Sequence, residues 1–415
     1  MKDCSTAAAQ KRSVLISGIG IAGPALAYWL ARYGFEITLV DKAPRLRTGG
    51  YVVDFWGRGF DLAEKMGILP EIKRVGYDVQ ELRLVDVGGR PVGGFSVDVF
   101  RSATNGRYVS IPRSQLAKII YQKIEGYCEI IFGDSIREIE QKERGVGVSF
   151  ERTEPRRFDM VIGADGLHSV VRKLVFGKQE LFEKYLGYSV AAFTVNGYRP
   201  RDEDVYVSYS LPEKQVARFA MRDDQTMFLF VFADPKGDYT ERPFINPKDI
   251  LRAEFGDAGW ECPQILAAMK SCGDIYFDRV SQIRMETWSR GRVSLVGDAA
   301  FCPSLLAGQG SALAMIGAYV LAGELSTAAG QPEKAFKSYE RQLRPFIAGK
   351  QDAAVKLSGS FVPKTRSGIF FRNQVTKAFK LPFVAELVMG LSLLDRIDLP
   401  DYSPSVATGP RTALS

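Results

Sequence analysis

The chain's first clear pattern is a short apolar run, Ser13-Val14-Leu15-Ile16-Ser17, which suits a strand buried on both faces. Gly18-Ile19-Gly20-Ile21-Ala22-Gly23 follows at once, with Pro24 where a helix starts. Ala25 to Tyr33 has helical composition, and Gly34 fits the left-handed position that ends a helix. Phe35 to Val40 predicts a second strand, closed by Asp41. A comparable unit recurs far along the chain. Gly291 to Val296 reads as a turn and a buried strand, followed by Gly297-Asp298-Ala299-Ala300, Pro303 and Gly308-Gln309-Gly310. Ser311 to Leu325 then predicts a helix, with Ser311 as its N-cap and Leu313, Ile316, Val320 and Leu321 spaced for burial.

Between Lys178 and Ile275 the pattern turns to strands: 190–195, 205–209, 216–221 and 227–232, with turn residues between them. Phe228, Phe230 and Phe232 share one face, because strand side chains alternate. After about Gly349 the chain becomes helical and basic, with no acid between Ala353 and Ala385. Leu381 to Leu394 is apolar around Glu386, and fits a C-terminal helix packed on the core better than one lying on a membrane surface. Leu399-Pro400 closes the ordered part.

Composition narrows the chemistry. At 415 residues the chain is too long for one small core. Its net charge of +7 comes from scattered basic residues, so a solvated surface is a better reading than nucleic-acid binding. Cysteines 4, 128, 262, 272 and 302 are odd in number and form no C-x-x-C pair. That argues against disulfide scaffolding and zinc ribbons, and for a reducing, cytoplasmic setting. His168 is the single histidine, which rules out a His-rich metal site. Met1 to Arg12 lacks the apolar run of a secretory signal. Two uncharged stretches, Ser13–Ala31 and Ala299–Gly323, have the length of a membrane span, but glycines and a proline interrupt both. They are expected to be buried strand, loop and helix.

In the first unit, Gly18 permits a tight turn, Gly20 lets the backbone approach a pyrophosphate, and Gly23 lets helix and strand pack closely. The helix N-terminus offers free N–H groups to the phosphates, and Asp41 stands where a carboxylate accepts hydrogen bonds from a ribose diol. Alone this means a dinucleotide, without choosing FAD or NAD. The late unit makes the choice. Asp298 beside a strand end, the glycines 308 and 310 and a second helix N-terminus suit ribityl hydroxyls and the negative charge that develops on a reduced flavin ring.

A third motif lies between, in Asp159-Met160-Val161-Ile162-Gly163-Ala164-Asp165-Gly166-Leu167-His168-Ser169-Val170-Val171-Arg172. With the three in this order, residues 11 to 350 resemble the class A flavoprotein monooxygenases, which include aromatic hydroxylases. The resemblance implies an α/β fold: a Rossmann-like FAD-binding domain in two parts (11–177 and 276–350), an antiparallel-sheet substrate-binding domain (178–275) and a C-terminal helical extension (351–400). It places Asp165 near the FAD pyrophosphate, with His168 as a loop residue. Arg113, opening a helix after Ser110-Ile111-Pro112, would reach ribityl or phosphate oxygens. Asp54, between Gly49-Gly50 and Gly57-Arg58-Gly59, would help to bind flavin, and Arg47 matches a position linked to NADPH. Pro303, Gly308 and Gly310 complete the cofactor set. Only one G-x-G-x-x-G is present, which agrees with NAD(P)H binding transiently as a co-substrate.

Within the class the chain most resembles the tetracycline destructases. The carriers are Gly49 to Asp54, the Arg113 segment, Gly259-Trp260-Glu261, Ser281-Gln282-Ile283-Arg284-Met285, Trp288, and the Gly297-Asp298 segment with Pro303. This implies a cytoplasmic, monomeric enzyme that uses NADPH and O₂ to hydroxylate and inactivate a tetracycline-type polycycle, conferring antibiotic resistance. Phe219, Arg222 and Phe228 are the candidate substrate contacts. No side chain is assigned as catalytic acid or base, since the cofactor carries the hard step. A different phenolic or polyketide substrate is the alternative, and a non-enzymatic flavin-binding interaction protein is the rival from another class. A halogenase is disfavoured, because no W-x-W-x-I-P segment exists.

Overall fold

A computed structural model describes residues 11–47, 49–237, 239, 246–328, 331–379, 395 and 397–402. Ser13–Ser17 is an inner strand of a six-stranded sheet in the order 289–290, 293–295, 160–163, 13–17, 36–41, 129–132. All pairings are parallel except that of the edge strand Ser289–Arg290. Val14, Leu15 and Ile16 are fully buried, as a strand covered on both faces requires. The first helix runs Ala22–Arg32, three residues earlier than its composition predicts, and takes Pro24 into its first turn. Gly34 has the expected positive φ, +81°.

The Gly310–Thr327 helix is apolar on every side, and each residue from Ser311 to Gly323 is buried. A helix of that kind must be enclosed by other elements. It packs on the Ala22–Arg32 helix and is flanked by Arg58–Lys65 and Pro332–Phe361. This enclosure accounts for the span-like stretch 299–323. Among the described residues no helix is long and apolar enough to cross a membrane. A small antiparallel sheet (136–142, 145–150, 156–158) adds Ile136, Val146, Val148, Phe150 and Phe158 to the same core.

The second large sheet has seven strands in the order 276–283, 183–196, 225–233, 214–220, 205–211, 81–85, 91–96. The four strands expected from alternation are all present, and the sheet reaches beyond 178–275 at both edges. Glu81–Val85 pairs parallel with Val205–Leu211, and Tyr276–Ile283 pairs antiparallel with Glu183–Asn196. These edge strands escaped the sequence pattern because Arg83, Gly93, Gly94, Asp278 and Arg279 break its apolar alternation. On one face Phe228, Phe230 and Phe232 join Phe193, Leu251, Phe255 and Ile265 under the helices Pro247–Phe255 and Cys262–Ala268. On the other face Met227 and Phe219 pack with Tyr77, Val79 and Val97, toward the first half of the molecule.

The Pro332–Phe361 helix runs unbroken across position 350, despite Pro345 within it. The Arg366–Ala378 helix then docks on the Pro91–Ser96 edge strand. Gly94 N donates to Thr376 Oγ1 at 3.1 Å, and Arg372 Nη1 donates to Ser210 Oγ at 3.1 Å. The apolar segment 381–394 lies outside the described residues. The chain reappears as a strap on the first half: Arg58 N donates to Asp395 at 2.8 Å, Tyr319 Oη donates to Pro400 O at 2.8 Å, and Tyr402 Oη donates to Glu324 at 2.7 Å.

Helix 366–378 can lie this close only because position 93 has no side chain. A Cβ there would stand 2.9 Å from both Asn373 O and Thr376 Oγ1. Gly93→Ala is therefore expected to destabilise the docked helix by about 1–3 kcal/mol. Limited proteolysis checks this: cleavage near Pro363–Thr365 should quicken in the variant while cleavage elsewhere stays unchanged.

Candidate cofactor site

Three turns distant in sequence meet at the end of the parallel sheet. In the first, Gly18 has φ +110° and its N–H donates to Val40 O at 2.7 Å. A Cβ on Gly18 would lie 2.4 Å from Ala164 O, and one on Gly23 would lie 2.0 Å from Gly18 O. Three backbones therefore touch here, and only glycine fits at either position. Gly20 differs: the nearest atom to its Cβ position is Arg113 Nη2 at 3.8 Å, so its outer side is open. The Ala22–Arg32 helix begins without a side-chain cap and without an acid in its first turn, which leaves its N–H groups available to an anion. Asp41 accepts from Ile19 N at 2.7 Å and from Ala43 N at 2.9 Å. Those bonds orient the carboxylate and leave it lone pairs for further donors.

In the second turn, Asp165 accepts from Val170 N at 2.8 Å, Val171 N at 3.1 Å, the Ser169 hydroxyl, and Ser17 Oγ at 3.4 Å. It thus caps the Val170–Val175 helix and ties it to the end of the first strand. Burial pushes its carboxyl pKa up, against these bonds. Arg172, only 1% exposed, donates to Ala299 O at 2.9 Å, to Leu167 O at 2.6 Å and to Gln179 Oε1 at 3.1 Å. It joins the second turn to the third.

In the third turn, Gly297 and Gly308 have φ +67° and +66°. Gly310 lies beside Asp298, whose Oδ1 is 3.7 Å from the Gly310 Cβ position. The Gly310–Thr327 helix has Gln309 as its N-cap, so the expected N-cap Ser311 lies inside the helix, buried. Pro303 O accepts from Gln282 Nε2 at 2.9 Å, and Gln351 Nε2 donates to Ile283 O at 2.7 Å and to Cys302 O at 3.2 Å. Two buried glutamines thus hold the loop against strand 276–283.

Arg113 stands between the first and third turns. Its N–H donates to Tyr51 O at 3.0 Å, which fixes where the Arg113–Gln122 helix begins. Burial raises the pKa of Asp298, and the nearby Arg113 guanidinium opposes that rise. Burial also pushes the Tyr51 hydroxyl up to about 12, with Arg113 and Asp298 among its charged neighbours. Among the described residues the Arg113 side chain has no hydrogen-bond partner. Asp54 pairs in register with Ser110, accepting from Ser110 Oγ at 2.5 Å and from Tyr108 Oη at 2.7 Å, and burial raises its pKa. Tyr51, Asp54, Tyr108, Arg113, Tyr206, Tyr276 and Asp298 are each enclosed by the fold yet keep part of their surface open. Ring contacts and electrostatic neighbours join them into one partly open region, the cleft, between the two large sheets.

The structure therefore brings Gly18, Gly20, Gly23, Asp41, Arg113, Asp165, Asp298, Pro303, Gly308 and Gly310 to one region, with Asp54 along the cleft. Arg47 is exposed on the loop before Gly49. The substrate candidates separate. Phe219 is fully buried on the cleft-facing side of the sheet. Phe228 corrects the expectation of a substrate contact: it lies on the opposite face as core, edge-on to Tyr198 at 4.9 Å between centroids. Arg222 is exposed and clamped on Val75 O and Gly76 O, both at 2.6 Å, with its guanidinium 4.4 Å above Tyr77. Sequence reasoning missed Arg172, Tyr51 and Tyr276. Arg172 and Tyr51 stood within the quoted motifs, whereas nothing local marked Tyr276.

A flavin adenine dinucleotide fits these residues. Gly20 is an open cradle at a helix N-terminus, Asp41 is oriented for a ribose, and Arg113 has five unspent donors in an enclosed cleft beside Asp298. The fold and the site thus define a flavin-binding α/β protein. The sequence model of the FAD binding domain family matches residues 11–354, and the chain belongs to that family. It is 36% identical over 396 residues to a flavin-dependent monooxygenase from an unknown prokaryotic organism, covering 94% of this chain and 98% of that one. A flavin-dependent monooxygenase of Legionella longbeachae is 34% identical, with 94% and 98% covered. Crystal structures of the tetracycline destructases Tet(51) and Tet(55) are similar at TM-scores of 0.79 and 0.80, each 32% identical, covering 95% and 94% of this chain and 100% and 99% of theirs. The chain is an FAD-dependent monooxygenase, an oxidoreductase.

Two substitutions separate packing from ligand contact. Gly23→Ala forces a backbone collision and should abolish FAD retention together with a loss of thermal stability. Arg113→Ala should leave the apoprotein's melting temperature unchanged and weaken FAD binding about 10–100-fold, through loss of charge-assisted bonds of roughly 1.5–3 kcal/mol. Flavin fluorescence titration of the apoprotein reads both.

Proposed function

We propose that this monooxygenase uses NADPH and O₂ to hydroxylate, and so inactivate, a tetracycline-type polycycle, giving antibiotic resistance. The observation that carries the reading is the near full-length likeness to two tetracycline destructases at 32% identity. The cleft is compatible with it: Tyr51, Tyr206 and Tyr276 offer broad aromatic surface, and Asp54, Tyr108 and Ser110 give it one polar wall. Bound FAD would supply the two-electron chemistry and the transfer of oxygen.

The chain's own residues hold and enclose. Gly20 and the start of helix 22–32 would receive the pyrophosphate, Asp41 a ribose, and Asp298 with Arg113 the ribityl and ring end. Phe219 backs the cleft from the sheet, and Arg222 would act at its rim. Arg47, exposed beside the Gly49-Gly50 turn, would meet NADPH, which binds and leaves. With substrate bound, the aromatic faces of Tyr51, Tyr206 and Tyr276 would help to exclude water, which favours oxygen transfer over peroxide release. The working assembly is a monomer in the cytoplasm, with the FAD-binding part drawn from 11–177 and 276–350 around the substrate-binding part.

The test is NADPH consumption by the FAD-loaded protein in air with a panel of tetracyclines, followed by product mass. A gain of one oxygen with substrate-stimulated NADPH oxidation is expected. Peroxide release without product from every tetracycline would overturn the substrate, and coupled turnover of another phenolic polycycle would replace it.

A further inference from the structure

The chain's one histidine is tied into the sheet that floors the cleft. His168 stands on the turn after Asp165-Gly166, with its side chain 53% exposed. Its Nε2 lies 3.0 and 3.2 Å from the two carboxylate oxygens of Asp278, and its Nδ1 lies 3.2 Å from Gln179 Oε1. Acceptors on both ring nitrogens suit an imidazole that carries two protons. Asp278 belongs to the Tyr276–Ile283 strand, and its side chain is mostly enclosed, at 15% exposed. Its carboxylate also accepts from the Tyr276 hydroxyl at 3.4 Å. The Tyr276 ring lies 5.7 Å from that of Tyr51, and Arg113 and Cys302 are among its charged or ionisable neighbours. A polar track thus leads from solvent at His168 through Asp278 and Tyr276 to the flavin end of the cleft.

We propose that His168, Asp278 and Tyr276 form a proton path between bulk water and the cleft. The proposal rests on the function argued above. Hydroxylation with NADPH and O₂ takes up one proton per cycle: NADPH, H⁺, O₂ and R–H give NADP⁺, H₂O and R–OH. A cleft that excludes water needs a route for that proton. His168 Nε2–H passes its proton to an Asp278 oxygen. The Tyr276 hydroxyl then turns its O–H from Asp278 toward the cleft, and the protonated carboxyl passes its proton to Tyr276 Oη while the hydroxyl proton passes to an accepting oxygen of the reactants there. His168 regains a proton from solvent at its exposed edge. Only N–H and O–H bonds break and form, and one positive charge moves inward.

The surroundings agree with these roles. The Asp278 hydrogen bond raises the imidazole pKa above its ordinary value, and burial opposes it. The charges of Asp278 and Glu183 and the bond to Gln179 add to the rise, while Arg172 reaches the ring only through Gln179. Burial and Asp278 push the Tyr276 hydroxyl far up, so it stays neutral and able to pass a proton on. A histidine with a raised pKa is charged at lower pH. Proton supply is therefore full below the ordinary value of about 6.5 and is lost as pH rises through the raised folded pKa.

Because the chain has one histidine, ¹⁵N-histidine labelling gives a single imidazole to titrate by NMR. In the FAD-loaded protein that pKa is expected above about 6.5 and lower in Asp278→Asn. NADPH oxidation in air with tetracycline should fall as pH rises through the same value and show a solvent deuterium isotope effect. His168→Gln should keep its FAD and melting temperature, lose that alkaline limb, run about tenfold slower near pH 6, and recover with added imidazole. Tyr276→Phe should lose the same limb without rescue. Wild-type pH profiles and isotope effects in both variants would overturn the path, as would variants that melt earlier with the profile intact. Wild-type protein that holds FAD but oxidises no NADPH would overturn the proposed function first, and the path with it.

Discussion

The structure depends on one close approach of backbone to backbone. Gly18, Gly23 and Ala164 meet with no room for a β-carbon. That contact sets the first helix against the first strand and brings the Asp165 turn alongside both. From it follows the open side of Gly20, and from the helix so placed follows the packing of the all-apolar Gly310–Thr327 helix. A single methyl group at position 18 or 23 would push the phosphate cradle away from the ring-end site on Asp298. The cost would fall on ligand geometry as much as on stability, since sites of this kind tolerate little displacement.

Around that contact, buried polar side chains fix the loops that apolar packing cannot. Arg172 bridges the second and third turns, and Gln282 and Gln351 hold the Pro303 loop. Each satisfies backbone carbonyls that have no partner in a regular ladder, which loops require when buried. Arg113 is the exception: its guanidinium is enclosed but unspent. A half-buried guanidinium with no partner among the described residues has donors to spare, and its place beside Asp298 is understood once an anionic, oxygen-rich ligand is set between the two turns.

Much of this was legible in the sequence. Local rules governed the first turn: glycine spacing, a following helix and a closing acid are properties of a few adjacent residues. Four strands of the large sheet were visible in their alternation. The lesson of Phe228 is different. Alternation correctly grouped Phe228 with Phe230 and Phe232, but it does not say which face of a sheet meets a ligand and which meets a helix. That is decided by the Pro247–Phe255 and Cys262–Ala268 helices, packed from farther along the chain. The edge strands at 81–96 and 276–283 were hidden for a related reason, since their charged and glycine positions serve the helix at 366–378 and the His168 turn rather than a uniform core. Tyr276 and Asp278 acquire meaning only through partners far away in sequence.

One FAD is expected to span the cleft from the Gly18–Gly23 turn to the Asp298–Gly310 turn. A crystal structure of the purified holoprotein tests it most directly. It should show one FAD per chain, with its pyrophosphate on Gly20 and the start of helix 22–32, a ribose on Asp41, Arg113 bonded to the cofactor's oxygens, and the ring system between Asp298 and Tyr51. A chain that binds no flavin, or that holds it with Arg113 and Asp298 untouched, would contradict the account.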